Sequence, residues 1–199
     1  MPIVVQRPRN QHGFTLIELM IVVVIVGVLA MLSIIGVRKY VAEAKTAEAR
    51  NAIGQIGKDA ATAFERESMK PTILGVGTAT AVTRALCGSA SATVPSAIAS
   101  VKGQKYQSNQ ATGADWRKDE STNMGFACLK FLISAPQYYM YNYTSDGNQN
   151  TPTIGTQFTA TANGDLDGNG TLSTFSLVGA VSSNMLYVAP NILAVNPDE

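Results

Sequence analysis

The sequence predicts an α+β fold: one long N-terminal helix, apolar in its first half and amphipathic in its second, packed on an antiparallel β-sheet. Three observations predict it. Residues 19–37 form an unbroken apolar run. An Ala-, Glu-, Lys- and Arg-rich stretch follows to about residue 67. From residue 126 onward, short segments rich in Thr, Tyr, Phe, Val and Ile alternate with turn residues.

Within 19–37 the exceptions to apolar character are Ser33, Gly27 and Gly36. The run is close to the ~20 residues that span a bilayer as a helix. A secretory signal peptide fits poorly, because such signals have an apolar core of roughly 7–15 residues and a small-residue cleavage site. Here Arg38 and Lys39 end the run without an A-x-A-like site. Glu18 stands at the start of the run, and a charge within a membrane span costs about 2.5–3.5 kcal/mol on insertion scales. Its presence asks for a reason.

The second half of the helix reads "YVAEAKTAEARNAIGQIGKDAATAFERE". Tyr40, Val41 and Ala44 start an apolar stripe, and Ile53, Ile56, Ala60, Ala63 and Phe64 continue it at helical spacing. Lys39 and Glu43 form an i,i+4 pair. Gly54 and Gly57 weaken the helix locally, and Pro71 marks its end.

Residues 73–125 are poorly patterned. "GSASATVPSAIAS" and "ATGADWRKDESTNMG" read as loops, with Trp116 a packed aromatic. The strands expected beyond are "FACLKFLI", "QYYMYNYT", "TQFTATA", "TLSTFSL" and "MLYVAPNILAV", punctuated by Pro136, "SDGNQN" and "NGDLDGNG". They make a sheet of four or five strands. Tyr138, Tyr139, Tyr141 and Tyr143 are expected to pack across strands.

Composition excludes several classes of function. The formal net charge is +1, so no basic field points to nucleic acid, and none is expected as a partner. Residues 14–130 hold thirteen basic and nine acidic residues, whereas 131–199 hold five acidic and no basic ones. There is no P-loop and no dinucleotide-binding glycine fingerprint, and the single histidine is His12. Nothing points to an enzyme. "NYT" at 142–144 is a glycosylation sequon by pattern only.

Cys87 and Cys128 lie beyond the membrane segment, where an oxidising compartment favours a disulfide. It would close a loop of about 40 residues and stabilise by roughly 3–4 kcal/mol. The segment "GDLDGNGTLSTFS" matches the first nine positions of a calcium loop: Asp165, Asp167 and Asn169 as side-chain ligands, Gly170 at the turn, Thr171 through its carbonyl and Ser173 at the ninth. The twelfth position, usually a bidentate Glu, is Ser176. Ca2+ there would be weakly held, about 10⁻⁴–10⁻³ M, with Asp146 a distant acid that could add a ligand. The other reading is a Gly- and Asp-rich hairpin turn.

The segment "HGFTLIELMIVVVIVGVLAMLSIIGVRKY", residues 12–40, carries a further pattern. A short basic leader with Arg7 and Arg9 ends in Gly13, followed by Phe14-Thr15-Leu16-Ile17-Glu18 and the apolar helix. This resembles the class III signal of type IV pilins and pilin-like proteins, over residues 7 to about 67. The resemblance implies a leader at 1–13, a transmembrane and filament-core helix at 14–39 and a globular pilin-like domain at 40–199. A prepilin peptidase/methyltransferase would cut after Gly13 on the cytoplasmic side and methylate the new amine of Phe14. The mature chain would then lack histidine, so His-dependent triads and zinc sites would be impossible.

The same resemblance implies a bacterial inner-membrane protein, single-pass with its C-terminus in the periplasm. It would later polymerise with copies of itself or with other pilin subunits into an extracellular pilus serving adhesion or motility. Glu18 then has a reason. Its carboxylate would pair with the Phe14 amine of a neighbouring subunit, and a wrong register would leave a buried charge unpaired at about 3–5 kcal/mol. The alternatives are a pseudopilin of a type II secretion system, or a membrane-tethered minor pilin for binding or DNA uptake. Many major pilins have proline where this chain has Ile35; the adjacent Gly36 is a softer weak point.

Overall fold

In a computed structural model, which describes residues 13–66, 68–69, 76–77, 82–147 and 155–197, the first element is a helix of 50 residues, α1, Leu16–Glu65. Pro71, expected to end it, lies outside the described residues. The chain forms two units, Met1–Val41 and Ala42–Glu199, and α1 contributes residues to both.

In the first unit, α1 has the length and hydropathy of a membrane-crossing helix, and none of its most apolar window is buried. Every large apolar side chain from Phe14 to Tyr40 is exposed. The one hydroxyl of the span, on Ser33, donates to the Leu29 carbonyl at 2.8 Å. A polar group is thereby satisfied inside the helix that carries it.

In the second unit, α1 buries Thr46, Ala49, Ile53, Ile56, Gly57, Ala60, Ala63 and Phe64, which recur along one face of the helix. The stripe therefore begins later than the sequence suggested. Tyr40, Val41 and Ala44 are exposed, because they precede the turn of α1 at which the packed face starts. Gly57 now has a purpose. A Cβ there would stand 2.6 Å from Leu177 Cδ2, so the missing side chain lets the helix backbone come close to the sheet.

Two short strands, β1 (Ser68–Met69) and β2 (Val82–Thr83), pair antiparallel. A five-stranded antiparallel sheet follows, made of β3 (Met140–Ser145), β4 (Gln157–Gly164), β5 (Ser173–Ser182), β6 (Met185–Val188) and β7 (Leu193–Val195). The order is β3-β4-β5-β6, with β7 also on β5. β5 is long enough to hold two short partners in line: β6 along 179–182 and β7 along 174–176. The predicted "MLYVAPNILAV" strand is thus two strands. Pro190 lies between them and has no N–H for a ladder.

β4 and β5 alternate buried with partly or fully exposed residues along their lengths. Small residues on β4 face large ones on its neighbours: Ala162 lies opposite Tyr141 and Phe175, and Ala160 opposite Tyr143 and Leu177. Phe158 lies opposite Gly179, where a Cβ would collide with the phenyl ring. Tyr139, Tyr141 and Tyr143 are fully buried. Tyr143 stacks on Phe158 at 5.6 Å and Tyr139 meets Phe175 edge-on at 5.8 Å, as cross-strand packing requires.

One predicted strand is absent. "FACLKFLI" forms a short helix, α2 (Gly125–Leu129), and then irregular chain. Gly125 and Lys130, which bound it, both take positive φ, at 49° and 61°. Phe126 and Leu129, three residues apart, turn inward together. Cys128 of α2 is joined to Cys87, with Cα atoms 5.9 Å apart. Trp116, in the 3-10 turn Asp115–Arg117, is buried against Phe126 and Phe131.

Candidate functional site

Gly13, Phe14 and Thr15 precede the first turn of α1 in non-helical backbone, and all three are exposed. The Thr15 carbonyl accepts the first helical hydrogen bond, from the Leu19 amide. Thr15 is therefore the cap, and Glu18 is the third helical residue. The two side chains bond reciprocally. The Glu18 amide donates to Thr15 Oγ1 at 3.3 Å, while the Thr15 amide and hydroxyl both donate to Glu18 Oε2 at 2.9 Å. This is a capping box, T-x-x-E, satisfying donors that a helix start otherwise leaves open.

Thr15 is the residue that sequence reasoning missed here, although Thr15-Leu16-Ile17-Glu18 carried the signal in plain view. Both bonds to Glu18 go to Oε2. Glu18 thus has a local role while keeping its second oxygen for another donor.

The second candidate is the loop joining β4 to β5. Of the residues proposed as calcium ligands, Asp165, Asp167, Asn169 and Thr171 lie in this one loop, and Ser173 opens β5. Their side chains are largely engaged within the turn. The carboxylate of Asp165, a buried residue, accepts the Gly168 amide at 2.8 Å on one oxygen and the Gly170 amide at 3.0 Å on the other. Asp167 accepts the amide and side-chain N–H of Asn169 at 2.9 and 2.8 Å. Asn169 Oδ1 accepts the Thr171 amide at 2.6 Å. The Ser173 hydroxyl donates inward to the Tyr139 hydroxyl at 3.2 Å. Gly168 and Gly170 supply φ of 81° and 97°.

A partner from outside the loop meets Asp165. Lys102 Nζ lies 3.9 Å from its carboxylate, and the Gly103 amide donates to the Asp165 carbonyl at 2.7 Å. Lys102 is half exposed, so this ion pair is worth little by itself. Its place, 63 residues upstream, left no local signal in the sequence. Among the described residues no group of three or more His, Cys, Asp or Glu side chains is arranged to hold a metal ion.

One further charged cluster lies where α1 meets the chain entering β3. Glu48 accepts the Tyr138 amide at 2.8 Å. The Tyr138 ring lies near two ammonium groups, Lys45 at 4.9 Å and Lys105 at 4.5 Å from its centroid. Burial raises the Glu48 carboxyl above its ordinary range, against the opposing pull of the Tyr138 amide and Lys105.

Comparison with known proteins bears on the first candidate. The sequence profile of the prokaryotic N-terminal methylation motif matches residues 8–34. Neither a curated protein nor a solved structure matches the chain. The matched segment holds Gly13, Phe14, the Thr15–Glu18 box and most of the exposed apolar span. By that match, the chain carries the class III signal peptide that is the hallmark of type IV pilins and pilin-like proteins.

Proposed function

We propose that this chain is a structural subunit of a type IV pilus-like filament, cut after Gly13, methylated at Phe14 and polymerised through α1. One observation carries the reading. The methylation motif leads into a helix whose large apolar side chains from Phe14 to Tyr40 are all exposed, so they need lipid or sister helices around them. The expected path is anchoring in the inner membrane with the globular unit in the periplasm, followed by extraction into the filament. A structural role, with no reaction of its own, is the one this reading assigns.

The Glu18 geometry supports the register role. Oε2 is held by Thr15, which leaves Oε1 for the Phe14 amine of a neighbour. Glu18→Ala should still insert and still be cleaved, but should enter filaments poorly; incorporation at the level of the unaltered chain would refute the role. Intact mass and N-terminal sequencing of protein from its native host test the processing. An N-methylated Phe14 terminus is expected, and an uncut chain within filaments would overturn the proposal. Imaging cells with and without the protein separates a long surface filament from the short periplasmic assembly of a pseudopilin.

For the 165–173 loop we propose a self-satisfied turn. Asp165 bonds two amides of the loop and sits by Lys102, which competes with a cation for the same oxygens. Millimolar calcium is therefore expected to leave the melting temperature of the full chain unchanged. A ligand that binds only the native state must raise it. A rise that disappears in an Asp165→Ala, Asp167→Ala variant would instead establish the calcium site.

A further inference from the structure

The five-stranded sheet turns one face to α1 and one away from it. On β5, Leu177 stands over Gly57 of α1 and the Phe175 ring lies 5.3 Å from the Arg50 guanidinium, so the odd-numbered residues from Ser173 to Val181 look toward the helix. The even-numbered ones look away, and the strand register carries that outer face across the sheet. Its β3–β4 half carries Asn142, Thr144, Thr159, Thr161 and Asn163. Its other half, along β5, β6 and β7, carries Val178, Met185, Tyr187, Leu193 and Val195, which are 39–67% exposed.

This apolar half is also the open edge of the sheet, since among the described residues no strand pairs beyond β6 and β7. Native proteins commonly guard such an edge with charged side chains, which oppose association. Here no charged residue occurs from Gly168 to Pro197. Five exposed large apolar side chains on one unguarded face mark a contact surface, as scattered single ones do not. Its rim is acidic. Asn196, just past β7, donates to the Leu172 carbonyl at 3.5 Å, so the β4–β5 loop borders the patch. Asp165 of that loop is matched by Lys102, whereas the exposed Asp167 makes no ion pair among the described residues. Asp198 and Glu199 follow β7 in sequence.

We propose that this patch seats on a second copy of the chain, against the part formed by residues 42–130. Charge selects that partner. Residues 131–199 hold five acidic and no basic residues, while residues 42–130 hold eleven basic and eight acidic ones. Patch against patch would oppose two acidic rims, whereas patch against the 42–130 part sets acid against base. That part presents exposed cations, among them Lys105 and Lys130. A contact between two different surfaces of one chain runs on from copy to copy, into a ring or a helical array. It needs only copies held close together, so it stands or falls separately from processing at Gly13 and from the register role of Glu18.

The test uses the full chain in lipid vesicles at high protein density, as an equal mixture of ¹⁴N and ¹⁵N copies. Tyr187→benzoylphenylalanine in the ¹⁴N copy lets light link the patch to whatever lies against it. Mixed-isotope dimers are expected, with the second end in residues 42–130 of the ¹⁵N copy. The same label at Thr159, on the polar half of the same face, should give several-fold fewer. Leu193→Lys should cut the yield from the Tyr187 label several-fold, and more than Leu193→Glu does, because the partner surface is basic. Both variants should melt with the parent chain; if either melts early, Met185→Lys and Met185→Glu repeat the comparison. No dimer, a link to lipid alone, or a second end in residues 14–41 or 131–199 would overturn the proposal. So would equal yields from the two labelled positions, or a loss in the Glu variant that matches that in the Lys variant.

Discussion

Ile25 and Ile53 lie in the same helix, four heptads apart, and live in different solvents. Ile25 is 53% exposed and Ile53 is fully buried. Around Ile25 the helix is apolar on all sides and Gly27 has open space where a Cβ would be. Around Ile53 only one stripe is apolar, and Gly57 is filled against Leu177. A helix apolar all round has no wet face to offer, whereas a one-sided helix carries its own solvent boundary. The lesson is that α1 is one piece of secondary structure with two separate reasons to exist. Its second half is held by its own chain; its first half leaves its large apolar side chains exposed.

That contrast can be broken at three levels. The largest effect is expected from truncating equal side chains on either side of it. Ile53→Ala should destabilise the globular unit by about 2–5 kcal/mol, because a buried cavity replaces packed atoms. Ile25→Ala should leave the same unfolding transition, followed by denaturant melts of the full chain in micelles, within about 0.5 kcal/mol. Equal losses would mean that Ile25 is also packed within the chain.

Glycines sharpen the comparison at a smaller scale. Gly179→Ala drives a methyl group into the buried Phe158 ring and should cost about 1–3 kcal/mol. Gly27→Ala meets nothing, and removing a glycine from a helix interior should favour the helix by up to about 1 kcal/mol. The midpoint should therefore fall for Gly179→Ala and rise or stay in place for Gly27→Ala; a fall in both would break the comparison.

The smallest effect concerns charge in the packed half. Because burial raises the Glu48 carboxyl, the folded state holds its proton to higher pH than the unfolded chain does. The resulting stability is fully present below the unfolded carboxyl range and is lost as pH rises through the folded value. Glu48→Gln keeps an acceptor for the Tyr138 amide and cannot titrate. Melting temperatures from mildly acidic to neutral pH should fall for the parent chain across that window and fall less for the variant. Parallel curves would remove Glu48 from the account.

Much of this was legible in the sequence because the signals were local. The β4–β5 hairpin announced itself through alternation in 157–182 and through the turn residues between the strands. The apolar span and its motif were contiguous. What failed to show was set by contacts far apart in the chain. "FACLKFLI" has the composition of a buried strand, and a short apolar run cannot declare its period. It folds as a helical turn because Gly125 and Lys130 bend the chain at both ends and because Phe126 meets Trp116 and Phe131. Likewise Lys102 reaches Asp165 through tertiary structure alone. The onset of the packed stripe was misjudged for a related reason: Tyr40 and Val41 continue the helical spacing, but nothing in periodicity says where a partner surface begins.

The capping box has a consequence for the order of events in biogenesis. Its two residues, Thr15 and Glu18, both lie downstream of the Gly13–Phe14 bond, and the backbone around that bond is outside the helix. A peptidase cutting there would find non-helical, exposed backbone on Gly13 and Phe14 and would sever nothing that holds α1 together. In the uncut chain the helix is already capped at its first turn, and a cut at that bond would remove neither residue of the cap. Maturation would then act as an edit of the chain's terminus: it adds an amine beside a finished helix and leaves the rest of the chain to be carried forward without refolding.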